Sequence, residues 1–368
     1  MAKTGLHKKG SFSLNKKEQE LYSRQIVLKE IGYKGQLRLK NAKVCIIGLG
    51  GLGSLIATQL TAMGVGHIHL VDRDVVEIAN LHRQYLYDTK VLGHSKAEIA
   101  AERLALLNPY INLEPSTISI NSENAEEVIE GMDVVADGLD AMKPRYAINR
   151  ACVKLKTPYV FGSAVMTHGN ASTIIPKETP CLECFFGNIE DANMPKCAVV
   201  GVHPSILSLI ASVEVSEVIR VLLGREPVLR GRLLFSSLEE LSMDLVDVLR
   251  NELCPVCGEE SVAEPFHSER ELVEEVCGRE GKRTLMVIPK EDLKLQIPTL
   301  SEILENKGFH IETEGRLSIT STRGEQKVSV MQSGVMIGEG IGEKENLIKL
   351  YRNIITNSLG VSWMRICD

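Results

Sequence analysis

The chain has no run of 18 apolar residues, which excludes a simple membrane-spanning helix. Its longest weakly charged apolar stretch, from Cys197 to Val213, is interrupted by His203 and Pro204 and reads as a buried helix. The N-terminal MAKTGLHKKGSFSL is basic but has no apolar core, so no secretory signal is expected. There is no excess of positive charge. Lys and Arg number 42 against 48 Asp and Glu, a net charge of −6, which argues against nucleic acid or an anionic membrane as partner. Repeats and low-complexity segments are also lacking. Nine cysteines is an odd number, so complete disulfide pairing within one chain is impossible. These absences together point to a cytoplasmic protein whose cysteines are thiols or metal ligands.

The 368 residues fit about two domains. With 44% apolar and 24% charged residues, the chain can bury a sizeable core. Charge is uneven: residues 1–40 carry +7 and the remainder −13. Residues 1–19 read as a flexible basic arm that merges into helical periodicity over 16–40. A strand-type run, Lys43–Gly48, then leads into Gly48-Leu-Gly50-Gly51-Leu-Gly53 and a helical segment. A second strand, His67–Asp72, closes a βαβ unit. A helix is expected over Ser95–Leu107, and strands over Asp133–Asp137 and Pro158–Phe161. This alternation implies an α/β fold, doubly wound and Rossmann-like, with a mostly parallel sheet. Residues 176–204 read as an ordered crossover loop, and Ser205–Leu223 as a long apolar helix carrying Glu214 and Glu217. Gly258–Pro265 reads as a linker. Beyond it, residues 266–368 show a β-α-β-β-α order expected of a small α+β domain.

Strand, GxGGxG and helix together form a phosphate-binding turn. Gly48 allows the tight turn, Gly50 lets the backbone approach phosphates, and Gly53 lets helix and strand pack closely. Gly51 belongs to the same loop, whose helix N-terminus offers amides to an anion. Asp72 ends the next strand, 19 residues after Gly53, where a carboxylate can hold ribose hydroxyls. The loop alone does not separate NAD from ATP. Downstream, Asp72-Arg-Asp74 leads to Asn80-Leu81-His-Arg83-Gln84, and then to Lys96. An Asn, an Arg and a Lys so close to the loop supply donors and charge for a triphosphate. Asp140 follows the third strand into the same crevice and suits Mg²⁺.

The motifs Leu21-Tyr-Ser-Arg24-Gln25, GLGGLGS, DRDVVEIANLHRQ, Gly93–Lys96 and the Asp140 loop resemble the ThiF/MoeB/HesA superfamily, to which ubiquitin-activating enzymes belong. The resemblance covers residues 20–258. It implies ATP-dependent adenylation of the C-terminal glycine of a ubiquitin-like protein by a homodimeric enzyme. Arg24 would then reach the ATP of the other subunit. Arg83 and Lys96 would hold phosphates, and Asp140 would hold Mg²⁺. Where relatives often carry Asn after the metal-loop Asp, this chain has Ala141, which removes one polar nucleotide contact.

Cys181-Leu-Glu-Cys184 and Cys254-Pro-Val-Cys257 are two CxxC knuckles, 73 residues apart. Four thiolates so arranged make a closed tetrahedral zinc site in the crossover region. A redox role is less favoured, because neither pair is expected to open a helix after a strand. Cys197 lies just before the long apolar helix, beside Lys196, where a helix N-terminus and a cation favour thiolate. In the relatives, a cysteine in this loop attacks the adenylate, giving a thioester or an acyl-persulfide. Cys45 and Cys152 are expected in the core, and Cys277 and Cys367 are unassigned. His168 and His203 flank the loop, and a structural role is expected for His203.

The expected activity is therefore activation of a ubiquitin-like protein, followed by thioester formation on Cys197. The alternatives are a sulfur-carrier adenylyltransferase of the thiamine or molybdopterin type and, from another class, an NAD-dependent dehydrogenase. The C-terminal domain occupies the position of the ubiquitin-fold domain that recruits a conjugating enzyme in ubiquitin-activating enzymes. The rival role for it is packing or dimerisation.

Overall fold

The computed structural model describes residues 13–191, 200–259, 261, 271–279 and 282–367. Most of the basic arm, most of the linker and Cys197 lie outside the described residues. The first domain begins with three short helices, α1 (Lys16–Leu21), α2 (Ser23–Ile26) and α3 (Gly32–Asn41). The sequence marks the first of them with a capping box. The Asn15 side chain accepts from Glu18 N–H, and Glu18 accepts from Asn15 N–H.

An eight-stranded sheet follows, in the order β3-β2-β1-β4-β5-β6-β7-β8. Its parallel part is β3 (Asn112–Ser116), β2 (His67–Val71), β1 (Lys43–Ile47), β4 (Val134–Asp137) and β5 (Tyr159–Val165). β1 and β4 lie at its centre and are almost continuously apolar and buried. Four of its seven strand pairings are parallel, so the sheet is predominantly but not wholly parallel. β6 (His168–Ile174), β7 (Arg232–Ser237) and β8 (Ser242–Asp247) extend it by antiparallel pairing. The reason is local. β5 turns directly into β6 through Met166, which adopts a positive φ of 54°, so no helical crossover can return the chain in parallel.

Helices cover both faces. α4 (Gly53–Met63), α5 (Lys96–Leu107) and a 19-residue helix at Pro204–Leu222 bury one face in a shared apolar cluster. The other face packs on α6 (Ala125–Ile129), α7 (Met142–Leu155) and α8 (Leu182–Phe186). The Pro204–Leu222 helix, α9, starts with Pro at its first turn, and His203 at its N-cap accepts from Ser205 N–H at 3.2 Å. Cys45 and Cys152 are fully buried in the second cluster.

The C-terminal domain is a second sheet, antiparallel throughout, in the order β11-β12-β13-β14-β10-β9. Its strands are β9 (Val273–Arg279), β10 (Lys282–Val287), β11 (His310–Glu314), β12 (Ser318–Arg323), β13 (Gln326–Met331) and β14 (Met336–Glu339). Two helices, α10 (Ile297–Asn306) and α11 (Lys344–Tyr351), cover one face, meeting Leu285, Val287, Ile319, Val328 and Val330. The alternate residues Met286, Met331 and Ile337 point the other way and are buried with Val75 of the first domain. The second face of this sheet is therefore an interdomain contact. Among the described residues, no helix is long and apolar enough to cross a membrane.

Candidate active site

The glycine loop sits where β1 meets α4. Gly48 has φ +85°, and a Cβ there would lie 2.5 Å from the Gly138 carbonyl oxygen. A Cβ on Gly53 would lie 1.7 Å from the Gly48 oxygen. Gly48 is required because the backbones of the β1 and β4 loops touch, and Gly53 because the start of α4 packs on the glycine loop's own backbone. Gly50 differs: a Cβ there would meet only the Gln84 Nε2 atom, at 3.7 Å. Gly51 packs on Leu207 of α9. Gly50 is thus the loop position with open space beside its backbone.

Asp72 follows β2, and its carboxylate accepts from Leu49 N–H at 2.6 Å and Asp74 N–H at 2.7 Å. It ties the glycine loop to the segment carrying the cations. Burial raises its pKa above the ordinary carboxylate value, and the neighbouring Lys96 opposes that rise. Lys96 is the first residue of α5, and Ser95 caps that helix. Its ammonium is buried and lies 2.8 Å from Asp74 Oδ2. Burial pulls the Lys96 pKa down, but Asp74, Asp72 and Glu77 outweigh it and hold the ammonium protonated. Asn80 is buried and accepts from Glu77 N–H at 3.2 Å, while Leu81 and Arg83 are half-buried on the same turn. Arg83 donates to the Ala79 carbonyl at 2.8 Å. Asp140 is exposed just beyond β4, and Arg24 is exposed on α2. The structure thus brings the glycine loop, Asp72, Asp74 and Lys96 into direct contact.

Several contributing residues were not singled out from the sequence. Buried Asp137 accepts from Arg145 Nε at 2.9 Å, from the Tyr159 hydroxyl at 2.6 Å and from Leu139 N–H at 2.8 Å. Arg145 also donates to the carbonyls of Leu139 at 2.6 Å and Gly162 at 2.8 Å. Together they fix the turn that ends in Asp140. Gln84 is 3% exposed, and its Oε1 has no partner among the described residues although it lies beside Gly50. Ala141 has the N-cap position of α7 but no capping side chain, and Asp191 supplies the cap from the crossover segment. Its carboxylate accepts from Met142 N–H at 2.5 Å and Lys143 N–H at 3.1 Å. A buried charge on an apolar helix face was the only signal for Arg145, and Asp191 offered none.

On the far side of the sheet, the sulfurs of Cys181, Cys184, Cys254 and Cys257 lie within 4.8 Å of one another. Cys181 is 3.6 Å from Cys254, and Cys184 is 3.4 Å from Cys257. Zinc–sulfur bonds of about 2.3 Å at tetrahedral angles put sulfurs about 3.8 Å apart, so the donor set fits that ion. Contrary to expectation, Cys181 does open a helix: it occupies the N-cap position of α8, without a side-chain capping hydrogen bond. The sulfurs of the two knuckles nevertheless face each other across the fold, where a redox pair would face only its own partner.

This is a Rossmann-like α/β domain with a glycine loop after its first strand and a four-cysteine cluster on the far side of its sheet. The ThiF family model matches residues 22–256, and the chain belongs to that family. It is 38% identical over 271 residues to a sulfur carrier protein adenylyltransferase of Thermus thermophilus, covering 72% of this chain and 98% of the relative. It is 36% identical over 253 residues to the SAMP-activating enzyme E1 of Haloferax volcanii, covering 68% of this chain and 93% of the relative. Among solved structures, E. coli MccB with ATP superposes with a TM-score of 0.58 at 25% identity, covering 66% of this chain and 75% of that one.

Proposed function

We propose that this chain adenylates the C-terminal glycine of a ubiquitin-like or sulfur-carrier protein, using ATP. The carrying observation is the joined set of glycine loop, Asp72, Asp74 and Lys96, in a chain more than a third identical to two such activating enzymes. Gly50 admits the phosphates to the backbone, Asp72 takes the ribose, and Arg83 and Lys96 hold phosphate oxygens. A carboxylate oxygen of the carrier attacks the α-phosphorus. The bond from that phosphorus to the bridging oxygen of the β-phosphate breaks, and pyrophosphate leaves. Fixed cations then stabilise the charge that builds at the α-phosphoryl group. Asp140 would hold Mg²⁺, which neutralises phosphate charge when bound. The four cysteines would hold a structural zinc, with no open position for chemistry.

A second step follows from the same reading. The Cys197 thiolate attacks the acyl-adenylate, forms a thioester and releases AMP. A sulfur-carrier end product is the second reading, favoured by the Thermus relative, and there a sulfur donor receives the acyl group instead. The enzyme acts as a homodimer in which Arg24 completes the site of the other copy. Leu21, Val27, Leu28 and Tyr33 are exposed around it, an apolar surface that a second copy would cover.

Carrier-dependent exchange of labelled pyrophosphate into ATP is the test. Exchange with a ubiquitin-like or sulfur-carrier protein ending in glycine is expected, and it should vanish when that glycine is removed. Nicotinamide nucleotide binding with no exchange from any carrier would establish the dehydrogenase reading instead.

A further inference from the structure

The segment that carries Lys96 is held from both sides. On one side are its own domain's bonds: Lys96 N–H donates to the Asp74 carbonyl at 3.0 Å, and Val76 N–H donates to His94 at 2.9 Å. On the other side is the C-terminal sheet. The Thr320 hydroxyl donates to the Gly93 carbonyl at 2.7 Å. Ser95 N–H donates to the Ser318 hydroxyl at 2.9 Å. Glu98, one turn into α5 and 2% exposed, accepts from Arg316 N–H at 2.6 Å and Leu317 N–H at 3.0 Å. Across the turn, Val75 is buried among Met286, Met331 and Ile337. Arg73 pairs with Glu274 at 2.9 Å, and Ser333 donates to the Thr117 carbonyl at 2.7 Å. The C-terminal domain therefore grips Arg73, Val75, Gly93, Ser95, Glu98 and Thr117, and the first five flank Asp74 and Lys96 in the chain.

Two features make these bonds more than surface adhesion. Gly93, Ser95, Ser318 and Thr320 are all at the buried interface or half-buried beside it, so each unmade bond would leave a desolvated polar group. Ser318 and Thr320 also act on the backbone of Gly93 and Ser95, the residues that set where α5 starts and hence where the Lys96 ammonium projects. Gly93 adopts φ +81°, so this turn has a conformation that ordinary side chains resist. All of the gripping residues lie beyond residue 256, where the family match ends.

We propose that the C-terminal domain is a brace for the phosphate-binding lysine, with Ser318 and Thr320 as its positioning residues. The proposal rests on the adenylation reading for its kinetic consequence, but its binding consequence needs only ATP. The domain's sheet serves the site by fixing the entry of α5, and the lysine is held ready before nucleotide arrives.

The test uses the full-length chain carrying Ser318→Ala with Thr320→Val, alongside the milder Thr320→Ser. ATP affinity is read from a fluorescent ATP analogue and its displacement by ATP, with no carrier present. The double variant should bind ATP about tenfold more weakly, since it loses both buried hydrogen bonds to the entry of α5 as well as the Thr320–Ser329 bond behind them. Thr320→Ser, which keeps the hydroxyl, should bind like the parent. In a Lys96→Ala background the double substitution should weaken binding no further, because its effect passes through that lysine. In pyrophosphate exchange, KM for ATP should rise while KM for the carrier stays constant. Unchanged ATP affinity would overturn the proposal, as would a loss that adds in full to that of Lys96→Ala, or a loss equally severe in Thr320→Ser. A parent chain that binds ATP but exchanges with no carrier would sink the adenylation reading alone, and the affinity measurements would still decide the brace.

Discussion

The Lys96 ammonium and the Asp74 carboxylate, 2.8 Å apart, form the charged half of the proposed nucleotide site. Asp72 holds Asp74 in turn through its backbone amide. A triphosphate entering over Gly50 must draw Lys96 partly away from this carboxylate. Lys96→Ala should therefore lower kcat for pyrophosphate exchange by about 10²–10³-fold, the range for removing one fixed donor from a developing charge. Steady-state exchange at saturating ATP and carrier measures this. Loss confined to KM would show that Lys96 only binds the ground state.

Gly50 and Gly53 should separate binding from folding. Gly50→Ala places its methyl in nearly open space, so the melting temperature should hold while ATP affinity falls. Gly53→Ala drives its methyl into the Gly48 carbonyl, so the fold itself should fail. Thermal melts with and without ATP distinguish the two. A Gly50→Ala enzyme that binds ATP normally would remove the phosphate from that part of the loop.

The buried pair of Asp137 and Arg145 supports the Asp140 turn. Arg145→Met should leave a desolvated carboxylate and destabilise the domain by about 3–5 kcal/mol. Adding Asp137→Asn to that variant should recover part of the loss. Denaturant unfolding of both variants gives the comparison, and a single variant as stable as the parent would refute the bracing role.

Glu214 is fully buried, neither of its carboxylate oxygens has a partner among the described residues, and burial raises its pKa well above the ordinary 4.5. Between 4.5 and that raised value the folded state binds more protons than the unfolded state. Stability from this group must then fall as pH rises through that window and level off above it. Glu214→Gln cannot titrate, so its unfolding free energy should lack this decline. Equal pH slopes in the variant and the parent would show that Glu214 contributes nothing to the pH dependence.

Complementation tests the shared site. Arg24→Ala and Lys96→Ala enzymes should each be inactive, yet a mixture allowed to exchange subunits should regain about a quarter of parental activity. Half of randomly mixed dimers are hybrids, and each hybrid has one intact site. No recovery from subunits shown to have exchanged would confine Arg24 to its own chain's site.

The central fold was legible because it rests on local signals. β1, the glycine loop, α4 and β2 are encoded by an apolar run, forced glycines and an acidic stop, and they appear where those signals stand. The region after β5 was not legible. Strands β6 to β8 depend on a tight turn at Met166 and on pairing with partners far along the chain, such as Asn170 with Phe235. The C-terminal sheet likewise holds more strands than the periodicity revealed, because polar residues such as Ser318, Thr320 and Ser329 are buried against the first domain. Their alternation looks solvent-facing until that domain is in place. Within the site, residues that would meet the nucleotide directly belong to sequence motifs. Those that hold them, Arg145, Asp191 and Ser318, come from elsewhere in the chain and carry no motif.

Asp191 capping α7 sets a tether length. Cys197 lies six residues beyond Asp191 and seven before Pro204, where α9 begins. A fully extended chain covers at most about 22 Å in six residues and about 25 Å in seven. An acyl group on the Cys197 sulfur, in the thioester step proposed above, would therefore be leashed at both ends, with one post standing on the same helix start that follows Asp140. Any carrier handed from adenylate to thiol must make that passage within this radius, so the distance of transfer is bounded by covalent geometry alone.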